Sequence, residues 1–261
     1  MSVAMTLPST LPVPHGGFRY LPGGFQYSAA VVAEPGFVIE RAVFDTALPL
    51  EEGFARIEAH LRALGRPMAA LCACELRSPA PLTEADFVAF NRRYVQPLER
   101  WGIYLDGANP VARCNLVPAD RPPETVVFHA FSYTRTAVLA QQRPDFVTSG
   151  AAECPDRPGY REAIVRLGET SPDALRDKLQ FALGDLESRF GPLGVGWADV
   201  KELNLYSVHD LHRPLLQGLS SRAGAGCAVT CHVVRPPVVD LEIELDARRH
   251  GSVLLLPRTA G

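Results

Sequence analysis

The chain has 261 residues, 47% hydrophobic and 21% charged, and 26 basic against 29 acidic residues leave a formal net charge of -3. That balance supplies no basic field for nucleic acid or an anionic membrane surface. No apolar run reaches the roughly 18–20 residues that span a bilayer. The opening stretch is broken by Pro8, Pro12 and Pro14 and has no apolar signal core, so a cytoplasmic location is expected.

In chain order, the first strong pattern is a helix from Gly53, with Phe54, Ile57, Leu61 and Leu64 on one face. Gly65 stops it, and an apolar strand follows over Ala69 to Leu76. Ser171 is a candidate N-cap for a second helix that buries Leu175, Leu179, Leu183 and Leu186. Phe190-Gly191 ends it, and a strand over Val200 to Val208 follows. Helix, glycine, strand, twice over, is α+β patterning.

The later parts also repeat. Arg113 to Phe131 lies over Cys227 to Leu245 without a gap, with Arg121-Pro122-Pro123 over Arg235-Pro236-Pro237. A tyrosine-led strand pair is expected to open each unit, from Tyr27 to about Phe44 and from Tyr133 to about Ala152. The chain therefore divides near Phe131 into residues 1–131 and 132–261, with no Ser/Gly linker between the units.

Several segments resemble the RidA/YjgF family of small enamine/imine deaminases. Tyr27-Ser28-Ala29-Ala30-Val31 is similar to the family's opening strand, and Asp86-Phe87-Val88-Ala89-Phe90-Asn91-Arg92-Arg93-Tyr94 to its Asp-Phe-x-x-x-Asn-x-x-Tyr segment. Phe146-Val147-Thr148-Ser149-Gly150 and Glu242-Ile243-Glu244 resemble two further family strands. The resemblance implies two tandem RidA-like (chorismate mutase-like) units, each a curved mixed β-sheet backed by two helices. It also implies a homotrimer with ligand clefts between neighbouring units. Its active members hold a substrate carboxylate with an arginine and activate water with a glutamate on the last strand. Those positions fall on Arg113 in the first unit, where the second has Cys227, and on Glu242 in the second unit, where the first has Phe128.

Glu242 is thus the expected catalytic residue, with Arg113, Tyr27, Tyr133, Cys227 and Arg222 as substrate-binding residues. A guanidinium matches a carboxylate bidentately, and a desolvated glutamate can act on water. Each has a plainer alternative: an edge-strand arginine, a solvated acidic face through Asp240, Glu242 and Glu244, rings packed at a boundary, a buried thiol. Asn91 reads as a structural hydrogen-bonding residue. The six cysteines are too sparse for a disulfide framework and read as buried thiols. His209-x-x-His212 and Cys227-x-x-x-Cys231-His232 fit no compact zinc signature, and no phosphate-binding glycine loop appears, so neither metal nor cofactor is expected. The expected activity is cofactor-independent hydrolysis of a small carboxylate-bearing enamine or imine, such as a 2-aminomuconate-like metabolite. A non-catalytic binding protein of the same fold and a chorismatase-like hydrolase are the alternatives.

Overall fold

The computed structural model describes residues 9–104, 106–157, 159–220, 222 and 227–257. Part of the leader reading, on residues 1–8, and residues 223–226 lie outside the described residues. The first half runs β1 (Leu11–Pro12), β2 (Phe18–Leu21), β3 (Ala30–Ala33), β4 (Phe37–Pro49), α1 (Leu50–Ala63), β5 (Leu71–Arg77), α2 (Glu84–Tyr94), α3 (Gln96–Arg100), β6 (Ala112–Pro118) and β7 (Val127–Thr136). The second runs β8 (Phe146–Thr148), β9 (Ala151–Ala152), α4 (Pro172–Ser188), α5 (Phe190–Leu193), β10 (Glu202–Ser207), α6 (His212–Leu219), β11 (Ala228–Arg235), β12 (Glu244–Arg249) and β13 (Val253–Leu256).

Two four-stranded blocks share one connectivity, with strand orders β6-β5-β7-β4 and β11-β10-β12-β8. In each block the first pair is parallel and the next two are antiparallel. The blocks join edge to edge where Val234 and Arg235 of β11 pair with Pro118 and Val117 of β6. The chain ends cross over: β3 pairs with β8 of the second block, and β13 runs parallel to β4 of the first. A cut at Phe131 therefore needs correction. Phe131 lies inside β7, and β1 to β3 belong to the second block by hydrogen bonding. The tyrosine-led strand pairs also differ, because β3 pairs with β2 and β8 rather than β4, and Tyr133 sits within β7.

Local chemistry sets the helices. α1 buries Phe54, Ile57 and Leu61, whereas Leu64 caps the helix and is 49% exposed. Gly65 then takes φ +64°, a left-handed conformation that L side chains rarely adopt. The Ser171 hydroxyl accepts the Ala174 amide at 3.3 Å, as an N-cap does. Phe190 opens α5 instead of ending the helical run, and packs edge-on against Trp197 at 5.0 Å. One core lies between α4, α5, α6 and the second block, and another between α1, α2, α3 and the first. Burying each leucine there contributes about 1.5–3 kcal/mol.

Alternation along β12 separates its chemistry. Leu245 and Ala247 join the helix-side core, while Glu244, Asp246 and Arg248 share the other face. There Arg248 bonds Asp246 and Glu75, each at 2.8 Å, and Arg41 grips Glu75 at 2.6 and 2.7 Å. Burial alone would raise the Glu75 carboxyl, but Arg248 and Arg41 hold it well below the ordinary range. This network ties β4 and β5 of one block to β12 of the other.

Candidate active site

A cavity of about 300 Å³ opens where the two blocks meet, at the small end of the ~300–1,000 Å³ usual for ligand pockets. Three backbone segments build its floor. Ser28 donates its amide to the Val111 carbonyl and its hydroxyl to the Pro110 carbonyl. The Ser149 hydroxyl accepts the Arg113 amide at 2.8 Å and donates to the Ser28 carbonyl at 2.5 Å. Arg189, at the end of α4, donates to the Ser149 carbonyl at 2.7 Å and to Asp185 at 2.6 Å. Thus the segment before β3, strand β6 and the turn after β8 are locked together.

Arg113 projects from β6 into this cavity and is only 3% exposed. Its guanidinium carbon lies 5.0 Å from the Tyr27 ring centre, 5.6 Å from Phe87, 5.6 Å from Phe90 and 4.8 Å from Tyr94. It donates a short hydrogen bond to Asn91, whose amide in turn donates to the Phe87 carbonyl at 2.7 Å. No carboxylate forms an ion pair with Arg113 among the described residues. Aromatic faces attract a guanidinium without neutralising it, so a buried cation remains ready for an anion. The resemblance segment of α2 supplies Phe87, Phe90, Asn91 and Tyr94 together. Asn91 therefore does more than brace a loop: it orients Arg113, and its i, i+4 spacing from Phe87 was the available signal.

The facing carboxylate is Glu244, not Glu242. Glu244 lines the cavity, is 6% exposed and lies 3.7 Å from the Cys114 thiol, one residue beyond Arg113. Burial, with Asp246 adding to it, pushes the Glu244 carboxyl up to about 8. A Cβ at residue 150 would sit 2.0 Å from the Glu244 Oε1, so Gly150 makes room for the carboxylate. Glu242 precedes β12, turns to His209 at 2.8 Å and is absent from the cavity lining. The Glu153 carboxylate accepts the amides of Glu242 and Ile243 at 2.6 and 3.0 Å, which fixes where the strand begins and sends the two glutamates to different places. Glu242→Gln is accordingly expected to keep turnover within about threefold of the parent in a steady-state assay.

The remaining expectations separate. Tyr27 lines the cavity. Tyr133 is fully buried in β7, donates to Glu40 at 2.8 Å and lies outside it. Arg222 pairs with Glu187 at 3.1 Å and Gln180 at 3.1 Å on the surface of the second block. Cys227 packs against the helix-side core, where burial raises its thiol. Cys231 is exposed and Cys227 half-buried, while the other four thiols are buried. A second cavity, of about 270 Å³, is lined, among the described residues, by Cys231, His209 and His232 and by no arginine.

Two α+β blocks of one connectivity thus bring a buried arginine from one and a buried glutamate from the other to the cavity at their seam. A chorismatase crystal structure superposes over 84% of this chain and 77% of that one, with a TM-score of 0.53 at 14% identity, which shows the shared fold. The Escherichia coli YjgF gene product covers 42% of this chain and 84% of its own, with a TM-score of 0.30 and 14% identity. Residues 10–253 match the 2-aminomuconate deaminase CnbZ family, and the chain belongs to it. A 2-amino-5-chloromuconate deaminase from Comamonas testosteroni is 44% identical over 245 residues, 93% of this chain and 97% of that protein.

Proposed function

We propose that the protein hydrolyses a small conjugated enamine that carries a carboxylate, of the 2-aminomuconate type, to the corresponding oxo acid and ammonia. The observation that carries this reading is that a buried Arg113, in no ion pair among the described residues, and a buried Glu244, whose carboxyl burial pushes up to about 8, line one cavity. The Arg113 guanidinium binds the carboxylate beside the amino-bearing carbon through charge-assisted hydrogen bonds. The Glu244 carboxyl donates its proton to the enamine carbon, which turns the C=C–NH2 unit into a C=NH2+ unit. Glu244, now a carboxylate, takes a proton from the water that attacks the iminium carbon. Proton transfer to nitrogen then lets ammonia leave, and enamine plus water become ketone plus ammonia. The test is ammonia release from freshly generated 2-aminomuconate; a protein that releases none overturns the reading.

The raised Glu244 carboxyl gives this reading a pH signature. Because it is pushed up to about 8, the protonated form predominates at neutral pH and is lost as pH rises. The kcat/KM value should be level through neutrality and fall about tenfold per pH unit well above 8. A profile that instead rises through this range would assign the base role to the free enzyme.

The protein acts, on this reading, as a cytoplasmic homotrimer. Supporting assembly, Val233 is 71% exposed, and Val253 and Leu255 of β13 are 52% and 68% exposed, more apolar surface than isolated strands usually leave in water. Light scattering at micromolar concentration checks this, and a clean monomer counts against it.

A further inference from the structure

Among the described residues, three arginines line the cavity: Arg113, Arg157 and Arg189. Arg189 is engaged by Asp185 and by the Ser149 carbonyl. Arg113 lies at depth. Arg157 stands exposed at the rim, just past Asp156, and forms no ion pair or side-chain hydrogen bond among the described residues. An unpaired surface arginine is ordinary by itself. Here it shares one small cavity with a second guanidinium, Arg113, that forms no ion pair among the described residues, and Tyr27, Val238 and Leu241 are part of the same lining.

Besides Glu244, two acidic residues among the described residues line the same cavity. Glu84 accepts the Gly159 amide at 2.9 Å, and Asp156 accepts from the Gln26 side chain at 3.4 Å. A ligand with a second carboxylate at this end would meet like charge there unless a cation stood among them. Arg157 is adjacent to Asp156 and is that cation. A planar guanidinium binds a carboxylate with two parallel N–H donors, so it suits this task better than a point charge would.

We propose that Arg157 receives the distal carboxylate of a dicarboxylate substrate whose first carboxylate is held by Arg113. This rests on the cavity being the deaminase site and adds the residue that selects a diacid over a monoacid. The apolar part of the lining then accommodates the unsaturated carbon chain.

Muconate and sorbate separate the two questions, because they share a conjugated six-carbon chain and differ in the second carboxylate. In titration calorimetry the parent protein should bind muconate at least about tenfold more tightly than sorbate. Arg157→Gln should lose on the order of tenfold in muconate affinity and leave sorbate binding within about twofold. Arg157→Lys should keep part of the preference. Equal weakening of both probes, no change in either, or a parent protein without preference for muconate overturns the assignment. Ammonia release from 2-aminomuconate is measured alongside. If it is absent while the muconate preference is present and Arg157-dependent, the deaminase reading fails and the dicarboxylate anchor stands.

Discussion

Replacing Glu244 by glutamine should lower turnover by about two to four decades, with little change in substrate affinity. The substitution keeps the size and planar shape of the side chain beside Gly150, so packing is conserved. What it removes is the exchangeable proton. An amide cannot deliver a proton to carbon or accept one from water at neutral pH. Glu84 and Asp156 also line the cavity, and Asp156 lies at an exposed position, although the surrounding bulk raises its carboxyl. The Cys114 thiol is raised well above its usual value by burial and is held as a neutral donor to Glu244. Single-turnover ammonia release and a binding titration on the same variant separate the two effects. A Glu244→Gln protein that turns over at the parent rate would remove the carboxyl from the chemistry.

Loss of the Arg113 guanidinium should act on binding. Arg113→Gln should weaken a carboxylate ligand by roughly 1.5–3 kcal/mol, about one to two decades in affinity. Arg113→Lys should recover little. The four rings around the guanidinium carbon and the Asn91 acceptor fit a flat, delocalised cation, and an ammonium would be a more strongly hydrated point charge in the same cage. Asn91→Ala tests the positioning role separately: KM should rise while the Glu244 pH limb stays at the same place. If ligand affinity is unaffected by Arg113→Gln, the buried cation is structural and the anchoring role falls.

Much of this was legible in the residue order. The apolar spacing of Phe54, Ile57 and Leu61, and of the four leucines of α4, is periodic and local, and each helix forms as that spacing dictates. Arg113 is also legible, because β6 and the Asp86–Tyr94 segment carry family-like residues in fixed order. Where the chain ends pair was not legible. The pairing of β3 with β8 and of β13 with β4 joins residues more than a hundred positions apart, and strand edges carry no address in a single sequence. The choice between Glu242 and Glu244 fell to the tertiary structure for a related reason. The two share a strand parity, so alternation cannot separate them. Glu153 decides, by taking the amides of residues 242 and 243 and starting the strand at Glu244. Residue types and local periods thus determined the helices and the cation, whereas long-range hydrogen bonding decided which carboxyl faces it.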